Sequence, residues 1–183
     1  MEYLGHILSH EGVKVDPRKI KAIKEWKIMT SIKHLRGFLG WTGHYPKFVK
    51  NYGRIATPLT TLLKQDAFLW TLEETKAFEH LKEAMCQALA LVMSDFTKTF
   101  IVECDASGNG IGVVLMQEER PISFKSHPTK GKYLHKSIYE KEILEILHAL
   151  VKWRPYLMGR HFKVKIDHDS LKYFLEQRLS SKE

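Results

Sequence analysis

The sequence predicts an α+β to α/β chain in two parts, a small helical unit followed by a mixed sheet of order βββαβα. Three observations lead there. Apolar residues recur at helical spacing up to about residue 90 and in strand-like runs beyond it. A helical pattern separates the third and fourth of those runs, which permits a crossover and makes the sheet mixed rather than purely antiparallel. The basic excess sits at the front: residues 1–66 carry 12 Lys/Arg against 5 Asp/Glu, and residues 67–183 carry 17 against 16.

Tyr3–Ser9 and Val13–Val15 read as two short strands, with Ser9-His-Glu-Gly12 as the turn. Asp16-Pro17 is a helix start, Asp at the cap and Pro at the first helical position. Ile20, Ile23 and Trp26 follow at helical spacing. A second helix is expected from Ser31 through Leu35, Phe38 and Leu39, broken by Gly40 and Gly43. Tyr45–Tyr52 is a short basic amphipathic piece, and Pro58 begins another with Leu59, Leu62 and Leu63. Thr71-Leu-Glu-Glu74 is a capping box opening a helix with Phe78, Leu81, Met85 and Leu89 on one face. Strands are expected at Thr99–Cys104, Gly110–Gln117, Pro121–Phe124 and Phe162–Ile166. Ser137-Ile-Tyr-Glu140 is a second capping box, opening a helix through Leu150, and Ser170–Leu175 begins a last one.

The whole is 183 residues, 44% hydrophobic and 27% charged, which excludes collagen, disorder and a disulfide scaffold. No window approaches a membrane span and no secretory leader is visible. Two cysteines, Cys86 and Cys104, make no metal or disulfide framework, and a reducing compartment is the default. His6 and His10 read as scattered surface histidines, and the four tryptophans as core. The confined basic excess suggests a surface that meets a polyanion.

Three acids stand at the places where a sheet could gather them. Asp105 and Asp167 close the first and fourth strands, and Glu142 lies early in the helix between them. On the helical wheel Glu142 borders a stripe of Ile143, Ile146, Leu147 and Leu150, with Glu145 further round toward solvent and Glu140 approaching from the opposite edge. Two carboxylates about 4 Å apart repel by roughly 4 kcal/mol at an effective dielectric near 20, so such a cluster needs protons or cations. Oxygen ligands suit Mg²⁺ or Mn²⁺. On residues alone, three solvated carboxylates are the favoured reading, and Glu140 stays beside Glu142 as a candidate.

Nearly the whole chain resembles the end of a reverse transcriptase from a gypsy-type LTR retrotransposon, the metavirus lineage. The words that carry the resemblance are Tyr3-Leu-Gly-His-Ile-Leu-Ser9 with Gly12-Val-Lys-Val-Asp-Pro17, His34-Leu-Arg-Gly-Phe-Leu-Gly40, Phe48-Val-Lys-Asn-Tyr52, Thr57-Pro-Leu59 and Phe78-Glu-His-Leu-Lys82. Later come Asp105-Ala-Ser-Gly108 with Gly110-Ile-Gly-Val-Val-Leu115, Tyr139-Glu-Lys-Glu142, Tyr156-Leu-Met-Gly-Arg160, and Asp167-His168 with Ser170-Leu171. The resemblance implies four segments: the end of the polymerase palm (1–15), a thumb-like helical unit (16–66), a linker helix (67–90) and a ribonuclease H-like domain (91–183).

It also implies that Asp105, Glu142 and Asp167 are metal-binding catalytic carboxylates for Mg²⁺ or Mn²⁺, Glu142 being preferred over Glu140 by the family's phrase. The implied reaction is hydrolysis of the RNA strand of an RNA/DNA hybrid. Lys33, Arg36, Lys47, Lys50 and Arg54 would bind phosphates of that hybrid or of a primer–template duplex. The other implied partner is the rest of the polyprotein, with no membrane. The implied location is a cytoplasmic particle, the nucleus being the alternative. On the same resemblance the last domain stops short of a fourth acid, a last strand and a helix, and no polymerase active site is present. Lys27, Met29, Cys104 and Asp169 depart from the family pattern. A catalytically inactive nucleic-acid-binding remnant is therefore the alternative expectation.

Overall fold

A computed structural model describes residues 1–3, 5–10, 12–64, 68–88, 90–107, 110–128 and 136–166. The helix expected from Ser170, together with Asp167 and Asp169, lies outside the described residues.

The front of the chain is a three-stranded antiparallel sheet in the order β1 (Glu2–Tyr3), β2 (His6–Ser9), β3 (Gly12–Val15). Where one strand was expected before the turn there are two, because Gly5 takes a positive φ of 77° and turns the chain. Helix α1 (Pro17–Lys24) starts as its sequence demands: the Asp16 carboxylate accepts the Arg18 amide at 2.8 Å. Helix α2 (Ile32–Thr42) is capped by Ser31 and runs straight through Gly40, ending instead at Gly43. Burial of Leu35, Phe38 and Thr42 holds it helical, outweighing the roughly 1 kcal/mol that an interior glycine costs.

The basic piece after α2 resolves into a single 3₁₀ turn (Pro46–Phe48) and helix α3 (Tyr52–Ile55), followed by α4 (Thr57–Leu62). Helix α5 (Leu72–Cys86) has the expected capping box of Thr71 and Glu74. Its Phe78, Leu81 and Met85 are buried against Ile23, Leu35, Phe38, Leu59 and Leu62, and the Phe38 and Phe78 rings meet edge to face at 5.0 Å. This is the first core.

The second sheet has the order β6 (Arg120–Pro128), β5 (Gly110–Gln117), β4 (Phe100–Ser107), β7 (Phe162–Ile166). Strands β4, β5 and β6 form an antiparallel meander, and β7 returns parallel to β4. The crossover is α6 (Ile138–Lys152), capped by Ser137 and Glu140, then α7 (Arg154–Leu157). The mixed βββαβ order is thus the one expected. A second core of Phe100, Val102, Cys104, Val113, Leu115, Ile146, Ala149 and Trp153 lies between this sheet and α6.

The sheet's other face rests on the front unit. One extra residue makes this work. The β5–β6 register slips between Leu115 and Met116, so Ile122 is the odd residue of a bulge. Ile122 then joins the α6 core, while Phe124, two residues on, joins the front core with Val114. A backbone bridge between Val13 and Leu91 and the Gly53 amide donating to Ser126 Oγ at 2.8 Å complete the seam.

Candidate functional site

Glu142 lies in the second turn of α6 and is 1% exposed. At about 100° per residue, Glu142, Ile146, Ala149 and Trp153 fall within an arc of about 60°, and all four are buried. Glu142 is therefore at the middle of the helix's inner arc and not at its border.

The expected stripe is corrected accordingly. Glu145 is 3% exposed and packs inward, whereas Leu147 and Val151 are 51% and 75% exposed. Within the helix the Glu145 Oε1 lies 3.9 Å from His148 Nδ1, and the sheet brings a cation to the same side. Lys125 pairs with Val113 in the β5–β6 ladder and so shares the α6 side of the sheet. Burial pushes its ammonium below the usual lysine range, and the Glu145 carboxylate opposes that shift. A carboxylate facing a cation can be buried where a lone one could not.

Glu140 has a different task. Its carboxylate accepts the Ser137 amide at 2.9 Å, its own amide donates to Ser137 Oγ at 3.2 Å, and Lys136 lies at 3.5 Å. The Ser137 amide, the Ser137 hydroxyl and Lys136 hold the Glu140 carboxyl below the ordinary glutamate range.

Topology brings Glu142 level with the end of β4. Because β7 is parallel to β4, the crossover helix must run back down the sheet. The Tyr156 ring, just beyond α6, meets that of Phe100 at the start of β4 at 6.3 Å. From Trp153 back to Glu142 is about 16 Å of helix rise. From Phe100 to position 105 is about 17 Å of strand. The Asp105 backbone pairs with Gly112, and the β4–β7 ladder is described as far as Cys104 opposite Ile166. Asp167, which follows in sequence, is outside the described residues. Among the described residues no group of three metal-type side chains is found.

The five expected phosphate binders separate into three places. Lys33 and Arg36 share the exposed face of α2. Lys47 lies over the Phe48 ring at 5.1 Å, and burial lowers its ammonium's proton affinity. Lys50 and Arg54 line an open groove of about 490 Å³ between α3 and α5. The groove also takes Lys76 and His80 from α5, which the sequence reading did not single out. Their only signal was helical spacing, four residues apart on the polar side of α5. Lys50 and Asn51 line a second cavity of about 200 Å³ as well, whose lining includes Gly112, Phe124, Glu103 and Glu119.

A four-stranded sheet with three antiparallel strands, a crossover helix and a fourth strand parallel to the first defines a ribonuclease H-like domain, here seated on a helical unit. The chain belongs to the family of RNase H-like domains found in reverse transcriptases, whose model matches residues 70–164. Its relatives are Pol polyproteins of gypsy-type retrotransposons. It is 42% identical over 173 residues to the retrovirus-related Pol polyprotein from transposon 297 of Drosophila melanogaster, covering 93% of this chain and 16% of that protein. It is 34% identical over 192 residues to that from transposon gypsy of the same organism, covering 97% and 19%. The transposon Tf2-3 polyprotein of Schizosaccharomyces pombe is 31% identical over 179 residues, 93% and 13%. The chain thus spans less than a fifth of these relatives' length.

The fold is similar to that of foamy viral protease-reverse transcriptase. The dRH form in complex with double-stranded DNA aligns over 100% of this chain and 33% of its own, with a TM-score of 0.86 at 22% identity. The complex with RNA/DNA hybrid aligns over 100% and 26%, with a TM-score of 0.83 at 22% identity. Among the described residues no helix is long and apolar enough to cross a membrane.

Proposed function

We propose that this part of a retrotransposon reverse transcriptase hydrolyses the RNA strand of RNA/DNA hybrids, using divalent cations held by Asp105, Glu142 and Asp167. The observation that carries the reading is Glu142: a carboxylate buried at the centre of the inner arc of α6, at the height of the last residues of β4. A fold gives up hydration of such a group for a purpose, and oxygen donors from a strand end and a helix fit Mg²⁺ or Mn²⁺.

When bound, such ions activate water and neutralise charge on the leaving 3′ oxygen. The chain's own part is to hold the carboxylates and the substrate. Strand β4 and helix α6 fix Asp105 and Glu142 on regular elements rather than loops. Glu140 is engaged by its cap and leaves the role to Glu142. Lys33, Arg36, Lys47, Lys50 and Arg54 take the phosphates, and recognition of RNA rests on the 2′-hydroxyl and minor-groove shape. The remainder of the polyprotein is the natural partner of so small a share of its length.

A second reading, binding without cutting, is favoured by the basic groove between α3 and α5. Labelled RNA/DNA hybrid with Mg²⁺ separates the two. Cleavage that stops in EDTA and in Asp105→Asn supports the nuclease; retention of intact hybrid supports the binding module.

A further inference from the structure

The groove between α3 and α5 brings together charges that are distant in sequence. Lys50 precedes α3, Arg54 lies on it, and Lys76 and His80 stand one turn apart on α5. Glu73 is the single carboxylate on the lining. Ile55, Pro58 and Ala77 add apolar surface to the lining, and low-dielectric surface beside a mainly basic set of charges concentrates their field. Among the described residues Lys76 has no ion pair, so its charge is directed at solvent rather than at a neighbour.

We infer that this groove is a track for the phosphodiester backbone of a nucleic-acid strand, with Lys76 and His80 of α5 as phosphate-binding residues beside Lys50 and Arg54. One feature favours a polymer over a small anion. The groove is open to solvent rather than closed. Lys50 and Asn51 also line the neighbouring cavity, whose lining includes Gly112, the register partner of Asp105, together with the carboxylates Glu103 and Glu119. The inference rests on the nucleic-acid reading above and adds to it the two residues of α5.

The test uses the full 183-residue chain, fluorescence anisotropy of a labelled RNA/DNA hybrid, and a salt series. Lys76→Gln weakens binding about two- to five-fold and flattens the slope of log affinity against log salt by about one. Lys76→Arg restores both, and His80→Ala weakens binding to a similar extent. Lys21→Gln, which removes the same charge from α1, leaves affinity and slope as they were, with melting temperatures of all variants checked alongside. Wild-type protein that fails to bind the hybrid overturns the nucleic-acid reading and this one with it. Wild-type binding that Lys76→Gln and His80→Ala leave intact, or that Lys21→Gln weakens equally, overturns the groove alone. Polyglutamate competing as well as the hybrid at equal charge overturns the phosphodiester assignment.

Discussion

The Gly53 amide donates to Ser126 Oγ at 2.8 Å, joining the first turn of α3 to the outer strand of the second sheet. The contact leaves no room for a side chain. A Cβ on Gly53 would sit 2.8 Å from the Ser126 carbonyl oxygen and 3.2 Å from its carbon, both of them backbone atoms. In a helix, Gly→Ala is ordinarily worth about 1 kcal/mol in stability. Here the sign reverses. Gly53→Ala is expected to destabilise by about 1–3 kcal/mol in urea melts, as overpacked sites do. Stabilisation would mean that α3 and β6 can part freely.

Glu140 and Glu142 are two residues apart and are expected to behave oppositely. Removing the Glu140 carboxylate dismantles the capping box, so Glu140→Ala lowers the melting temperature while leaving Mg²⁺-dependent cleavage of a hybrid in place. Glu142→Gln keeps shape and burial but removes the charge, and abolishes cleavage with the fold intact. Parallel melting curves and gel assays decide the matter. Cleavage that survives Glu142→Gln and disappears in Glu140→Gln would exchange the roles.

The caps show what a sequence makes legible. Asp16, Ser31, Thr71 and Ser137 each satisfy amides within three residues, so four helix starts were readable from short words. The strands of the meander were readable for the same local reason. What depended on distant partners was not. Counting apolar residues turned α6 toward Leu147, because the helix alone does not show that Lys125, twenty residues earlier on β6, lies on the side of the sheet that α6 covers. The groove was hidden likewise, since Lys76 and Lys50 meet only after α5 has packed on α3. Gly40 misled in the other direction, its low helix propensity being overridden by the burial of Phe38.

Gln117 closes the loop that enters β4, and it does so with both ends of its amide. Its Nε2 donates to the carbonyls of Asp95 at 2.7 Å and Lys98 at 3.0 Å, while its Oε1 accepts the Asp95 amide at 3.0 Å. The side chain is buried, so each lost partner leaves a backbone group poorly satisfied. Gln117→Leu is expected to cost about 1–3 kcal/mol. Gln117→Glu should be worse at neutral pH, since a carboxylate would face two carbonyl oxygens, and should recover in acid as it regains a donor. Equal stability of the two variants from pH 5 to 8 would show that the loop is held by something else.

The His6 ring packs edge-on to Tyr45 at 5.4 Å and against Phe48 at 5.2 Å, with Nδ1 buried. Burial, and after it the nearby Lys47 ammonium, lowers its pKa in the folded state. The unfolded chain, with an ordinary histidine near 6.5, therefore takes up the proton first as pH falls. In that interval the unfolded state binds more protons, so stability rises with pH. The contribution of His6 is fully present above about pH 6.5, declines as pH drops toward the folded pKa, and levels off below it. Urea unfolding of wild type and His6→Phe between pH 8 and 5 checks this. The wild type should lose more stability across that range than the variant, and a difference that is absent or of opposite sign would show that His6 protonates as readily in the folded protein as in the unfolded chain.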